Sequence, residues 1–294
     1  MSKQFTFEAI GTHFWIEIFD DISDEEELRA TQSRLELLSS LFNQQYSRFL
    51  TDSQISILNQ ERILHNPSEE CCTLLTYGKA LYLRSSGTFN LLTGHILEAR
   101  GYDAAYSFKA AENIDMLKVC NPVTDLEISA EKITLSCGNV DIGGYGKGWL
   151  IDMMKDDLLA HGITYFLVNG GGDMYATSDH NTPISIYLEH PTKAGQYLVE
   201  TSLLNQGFAA SSPFKRQWVD NGKTYTHIVS DKEVPMIAAF TKASTATEAD
   251  AFATPCGLLT EAELLTLSET ENIAFARFRP ETNEFWQTAN FGTV

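Results

Sequence analysis

Residues 140–154 read "VDIGGYGKGWLIDMM", where four glycines and one lysine run straight into an apolar segment with helical periodicity. Ile151, Met154 and Leu158 share one face of that segment, which closes at His161 and Gly162. Immediately downstream, "TYFLVNGGGDMYA" (164–176) reads as a buried apolar strand that breaks at Gly170–Gly172 and resumes. Glycines let backbone amides approach an oxyanion closely, and the helix that follows points its positive end the same way.

The pattern extends in both directions. Toward the N-terminus, "FTFEAIGTHFWIEIF" (5–19) alternates as two short strands around Gly11. A helix is expected from a capping box of Ser23 with Glu26, its apolar stripe being Leu28, Leu35, Leu38 and Phe42. A second helix, over 68–86, carries Cys71, Leu74, Leu75, Gly78 and Tyr82 on one face and stops at Gly87. Downstream, strands are expected at 184–188 and 197–201, helices near 245–259 and 261–268, and closing strands at 272–279 and 283–291. No internal repeat, linker or low-complexity segment interrupts the chain. The fold class is α+β, with residues 1–294 forming one domain or two closely joined lobes.

Composition narrows the function classes. The 294 residues are 43% hydrophobic and 20% charged, as expected of a globular protein with a sizeable core. The 21 basic and 39 acidic residues give a net charge of −18, which disfavours a nucleic-acid or anionic-membrane surface and confines any anion site to local backbone donors. No apolar run reaches the roughly 18 to 20 residues of a membrane span. Five cysteines without a C-x-x-C pair suggest neither a disulfide framework nor a zinc pattern, and reduced, packed thiols are expected. With Met1 as native start the protein is expected in the cytoplasm; with a signal removed upstream, outside it.

Taken singly, the motifs suit an anion site, a metal site and a general base, and equally a tight turn, a solvated helix face and a structural histidine. Lys147 is followed by Gly148, so the glycine cluster is no Walker A loop, and G-x-G-x-x-G is also absent. In "ASTATEADAFATPCGLL" (243–259), a capping box of Thr245 with Glu248 starts a helix that places Asp250 and Thr254 four residues apart on one face. Such a carboxylate and hydroxyl, with a backbone carbonyl, suit Mg²⁺, although the same spacing also serves an ordinary solvated face. His227, in "KTYTHIVSD", ends an alternating stretch where an imidazole can act as general base.

Taken in order, eight blocks resemble the ApbE family of flavin transferases: "IGTHFWIEIFD", "YSRFLTDSQISILN", "GTFNLLTG" with "RGYD", "VDIGGYGKGWLID", "FLVNGGGDMYA", "FAASSPFKRQW", "YTHIVSD" and "TEADAFAT". The resemblance implies a T-fold-related mixed α/β architecture with a flavin cleft between two lobes. It also implies transfer of FMN from FAD to a threonine or serine of an acceptor protein. By position it nominates Ile10, Phe49, Thr88, Phe89, Asn90, Asp141, Lys147 and Val229 as FAD contacts, with Phe49 packing on the flavin ring. It nominates Gly144 (through its backbone), Asp250 and Thr254 as the Mg²⁺ site, and His227 as the base for the acceptor hydroxyl, with Asp173 next in line. The same scaffold would also serve an FAD pyrophosphatase releasing FMN and AMP, or a non-enzymatic FAD-binding protein. The sequence departs from the family's usual pattern at Asn90, which replaces a carboxylate, at Ser230, which stands where an aspartate is usual, at 210–212, and at Pro255, which removes a hydrogen bond from the Asp250 helix.

Overall fold

The computed structural model describes residues 2–21, 24–112, 114–214, 216–230 and 234–293. In chain order its elements begin with β1 (Lys3–Ala9), β2 (Thr12–Ile18), α1 (Glu25–Tyr46), α2 (Gln54–Glu61), β3 (Ile63–His65), α3 (Glu69–Arg84) and α4 (Gly94–Ala99). They continue with α5 (Pro122–Asp125), β4 (Leu126–Ile128), β5 (Lys132–Leu135), α6 (Gly146–Ala160), β6 (Phe166–Gly170), β7 (Asp173–Thr177), β8 (Ile184–Glu189) and β9 (Tyr197–Leu203). The last are β10 (Gln206–Ser211), β11 (Gln217–Asp220), β12 (Lys223–Thr226), β13 (Ala238–Ala243), α7 (Ala246–Leu258), α8 (Glu261–Glu271), β14 (Ala274–Arg279) and β15 (Glu284–Gln287). The chain divides into two compact units, one made of 1–41, 145–214 and 235–294, the other of 42–144 and 215–234.

The first unit is built on an antiparallel sheet that, among the described residues, has eight strands in the order β1-β2-β6-β7-β10-β13-β14-β15. Its interior strand β13 is buried at every position, because elements cover both faces and no side of it meets water. The β8–β9 hairpin packs on one face. Ile184, Ile186 and Leu188 of β8 turn inward against Leu203, Phe208, Phe240, Phe278 and Phe291, while Ser185, Tyr187 and Glu189 face out. Helices α6 and α7 lie against the sheet, and they meet at Gly148. A Cβ there would come within 2.3 Å of the Ala246 carbonyl oxygen, so only glycine permits this approach. The Asp152 carboxylate of α6 accepts from the Ala246 and Thr247 amides at 3.1 and 2.9 Å, satisfying donors that the first turn of α7 leaves open.

Several sequence expectations are met here. The β1–β2 hairpin turns at Ile10 and Gly11, and α6, β6, β7, α7 and α8 lie where the periodicity placed them. Thr245 caps α7 by accepting from the Glu248 amide at 3.1 Å, while the Glu248 carboxylate takes the Ser244 hydroxyl. The Ser23 cap lies outside the described residues; Asp24 accepts from the Glu26 amide at 2.8 Å. Helix α7 continues past Pro255 to Leu258, and its last carbonyls, Cys256 and Leu259 among them, receive the buried Arg277 guanidinium of β14. No helix among the described residues is long and apolar enough to cross a membrane.

The second unit combines α2–α5 with a three-stranded β3-β5-β4 sheet and the β11–β12 hairpin. Cys71 is fully buried in α3, and burial pushes its thiol up to about 12, so this cysteine is core. The expectation of reduced thiols throughout is corrected: Cys120 and Cys137 form a disulfide, while Cys71, Cys72 and Cys256 remain unbridged. No sequence spacing signals this pair, because the fold alone brings positions 120 and 137 together.

Candidate active site

The thirteen residues nominated from the sequence divide between the two units: Ile10, Lys147, Asp173, Asp250 and Thr254 fall in the first, the other eight in the second. In the first, three segments distant in sequence converge on one charge cluster. Lys147 enters from the first turn of α6, Asp173 from the start of β7, and Asp250 from α7. The Lys147 ammonium contacts Asp250 Oδ1 at 3.0 Å and Oδ2 at 3.2 Å, and Asp173 Oδ2 at 2.8 Å. The Gly148 amide donates to Asp250 Oδ2 at 3.0 Å, and the Ala210 amide to Asp173 Oδ1 at 3.3 Å. Asp250 is therefore buried rather than on a solvated face. Thr254, one turn on, has its hydroxyl 3.4 Å from Ser211 Oγ.

The electrostatics follow from two acids sharing one cation away from water. Burial alone would pull the Lys147 pKa down, but Asp173 and Asp250 outweigh it and hold the ammonium protonated well above its ordinary range. Burial raises the Asp173 pKa, which Lys147 opposes and the neighbouring Asp250 charge reinforces. Buried carboxylates with a hydroxyl one helical turn away form an all-oxygen donor set, the type that hard divalent cations take, and the ammonium already resting on them shows that the pocket accepts positive charge. Lys147, nominated as an FAD contact, here serves the two carboxylates. Near this cluster of chain segments, the Gly171 amide donates to the His13 carbonyl at 3.0 Å and ties the glycine turn to the β1–β2 hairpin. At the tip of that hairpin, Ile10 is held at φ 45° beside Gly11 at φ 74°. A β-branched residue is rare in this left-handed region, and such strain is concentrated at functional positions.

The second unit holds its residues mainly through backbone groups. The side chain of Arg48, almost wholly buried, donates to Asp141 Oδ2 at 2.6 Å and to the Tyr102 carbonyl at 2.9 Å, and it lies 4.2 Å from the centre of the Phe49 ring. Asp141 Oδ1 accepts from the Gly143 amide at 2.5 Å. The Phe89 ring packs against Gly144, where a Cβ would stand 3.1 Å from it. Asn90 donates to the Cys120 carbonyl and accepts from the Leu92 amide, both at 2.8 Å. Thr88 and Val229 are half-buried. His227 follows β12 directly, its Nδ1 3.4 Å from the Arg216 carbonyl oxygen. The carbonyls on either side of it, Thr226 and Ile228, accept from Arg100 Nη1 at 3.2 and 2.7 Å.

Sequence reasoning passed over Arg48, Arg100 and the pairing of Asp173 with Lys147. Arg48 and Arg100 lie inside quoted blocks, next to Phe49 and to "GYD", and a lone arginine beside a nominated aromatic was the available signal. Phe49 itself belongs to a run of rings, with Tyr106 at 5.7 Å and Tyr102 at 6.4 Å.

Comparison with known proteins identifies the family and the fold. The chain resembles the FAD:protein FMN transferase of Haemophilus influenzae, at 25% identity over 90% of this chain and 83% of that protein. Its fold matches the crystal structure of the ApbE protein from Thermotoga maritima with a TM-score of 0.87, at 17% identity, covering 99% of this chain and 98% of the other. It matches the flavin transferase ApbE from Vibrio cholerae with a TM-score of 0.75, at 18% identity, covering 98% and 97%. The description "ApbE family" fits residues 10–276, from the strained hairpin tip through the middle of β14. With the fold, the block order and this match in agreement, the chain belongs to the ApbE family.

Proposed function

We propose that this protein is an FAD:protein FMN transferase. The observation that carries the reading is the Lys147–Asp173–Asp250 cluster at the head of α6, in a chain of the family whose curated relatives bear that name. Asp250 and Thr254 would hold Mg²⁺. When bound, the ion supplies positive charge to pyrophosphate oxygens. Lys147 holds its positive charge against Asp173 and Asp250 and keeps the two carboxylates from repelling one another. Phe49, backed by Arg48, offers a ring face for the flavin, and Asp141 is fixed by Arg48 and the Gly143 amide.

In the reaction, the acceptor hydroxyl oxygen bonds to the FMN phosphorus as its proton passes to His227. The bond from that phosphorus to the bridging oxygen breaks, and AMP leaves with the oxygen. Arg100 keeps His227 in place through the carbonyls that flank it. The Cys120–Cys137 disulfide supports the extracytoplasmic of the two locations, since such bonds persist in oxidising compartments.

Incubating the protein with FAD and Mg²⁺, with and without a candidate acceptor, and separating FAD, FMN, AMP and labelled protein tests the reading. Transfer yields AMP and flavinylated acceptor. Asp250→Asn is expected to abolish it, and His227→Ala to slow it by about 10²- to 10⁴-fold at unchanged FAD affinity. FAD recovered intact under all conditions overturns the proposal, and FMN released only to water replaces transfer with hydrolysis.

A further inference from the structure

We propose that the Cys120–Cys137 disulfide sets the flavin-binding segment of the second unit, with Asn90 as the positioning residue that links them, so that reduction by a dithiol weakens FAD binding. The proposal rests on the FAD reading above. Two arms run from the disulfide, and both end on residues nominated to touch FAD.

The first arm leaves through the Cys120 carbonyl, which accepts from Asn90 Nδ2 at 2.8 Å. Asn90 is adjacent to Phe89, whose ring is packed on Gly144. The second arm leaves through Cys137 and the residues that follow it. Gly138, at φ 72°, passes so near the bridge that a Cβ would lie 3.0 Å from Cys120 Sγ. The Gly138 carbonyl accepts from Arg62 at 2.7 Å, and the Asn139 carbonyl accepts from the Gly94 amide at 2.9 Å. Val140 exchanges two hydrogen bonds with the Asn59 side chain, at 2.7 and 2.9 Å. The Asp141 amide then donates to the Leu91 carbonyl at 2.8 Å, one residue beyond Asn90. The bridge thus closes a loop whose two ends meet at Asn90–Leu91 and Asp141.

The same geometry accounts for an amide at position 90. Asparagine offers a donor to the Cys120 carbonyl and an acceptor to the Leu92 amide at once. An ionised aspartate would keep the second bond but turn lone pairs toward the Cys120 oxygen. The departure at Asn90 is therefore matched to the disulfide loop beside it. Reduction breaks the Sγ–Sγ bond, two electrons and two protons convert the cysteines to thiols, and the dithiol becomes a disulfide. The loop then loses its covalent closure.

The test titrates FAD into oxidised protein, into protein reduced with dithiothreitol and into the reoxidised sample, at a temperature where all are folded by circular dichroism. Bound-flavin absorbance is read in parallel. Reduction is expected to weaken FAD binding by about 5-fold or more, reversibly, within the usual span of coupling between sites. Cys120→Ser/Cys137→Ser should bind like the reduced form and ignore dithiothreitol, and Asn90→Asp should lose most of the redox response. Hydrogen exchange of the ligand-free protein should quicken at 89–92 and 138–144 on reduction. If the disulfide serves only stability, its reduction would lower Tm yet leave affinity, flavin spectrum and local exchange unchanged, and that result overturns the proposal. If neither form binds FAD, the FAD reading falls, and local exchange alone decides whether the bridge braces this segment.

Discussion

Two lysines of the sheet-based unit, both drawn away from water, meet opposite surroundings. Lys147 faces two carboxylates and is held charged well above its ordinary range. Lys242, next to last in β13, faces neutral oxygens. It donates to Thr201 Oγ1 at 2.5 Å, the Ser202 carbonyl at 3.0 Å and the Phe291 carbonyl at 2.6 Å, and burial lowers its pKa from 10.5 to about 8. The difference separates chemistry from construction. A cation among anions can share them with a second cation, whereas a cation among carbonyls is a clasp that fastens β9 and the C-terminal segment to the sheet.

The largest effect that can break this contrast comes from Lys147→Met. It leaves Asp173 and Asp250 facing each other without a counter-charge, at a cost expected near 3–5 kcal/mol in a metal-free chemical denaturation. Mg²⁺ should restore part of that loss in the variant. If Mg²⁺ adds no stability, the carboxylates are a structural pair and the metal assignment fails.

An intermediate effect distinguishes packing from charge around the same cluster. Gly148→Ala forces a methyl group into the α7 backbone and should cost about 1–3 kcal/mol, read from the denaturant midpoint. Gly257→Ala, whose new methyl would meet nothing nearer than Ala239 Cβ at 3.8 Å, should instead leave the midpoint unchanged or raise it. Equal losses at both positions would mean that the approach of α6 to α7 is not as tight as the geometry states.

The smallest effect is the pH dependence owed to Lys242. Below about pH 8 this lysine is protonated in both states, so its contribution is constant. Between about 8 and 10.5 the unfolded chain retains a proton that the folded state has released, and stability should rise with pH over that window. Subtracting the curve of Lys242→Met isolates this slope. A flat difference would show that the three oxygen acceptors stabilise the ammonium enough to cancel its burial.

Legibility in the sequence follows the same physical divide. The hairpin at Gly11, helices α3 and α6, and the Asp250–Thr254 face were readable because local periodicity and caps encode them. Strands β10 and β13 escaped: "QGFAAS" and "AAFTKA" are rich in small residues and, in β13, buried on both faces, so no alternation marks them. The clustering of Lys147, Asp173 and Asp250 escaped because long chain segments close to make it, and the Cys120–Cys137 bridge, 17 residues apart, because no cysteine motif or periodicity marks its ends. The block resemblance supplied candidate residues but not their partners. Arg48 on Asp141 and Arg100 beside His227 emerged only from the structure.

The strand order also sets a timetable for synthesis. β2 pairs with β6, so Ile18 must wait for Phe166 before its sheet can extend, and the far edge at β14–β15 is translated last. At about 5–20 residues per second this wait is on the order of ten seconds. Throughout it the β1–β2 hairpin, with Phe5, Phe7 and Phe14 in a row of stacked rings, has no sheet neighbour to complete it, and an isolated hairpin is marginal in water. The hairpin therefore stays half-paired while Ile10 at its own tip, and after it Phe49, Asn90 and Asp141, leave the ribosome, so most of the residues nominated to meet a flavin exist before the sheet that supports the hairpin tip.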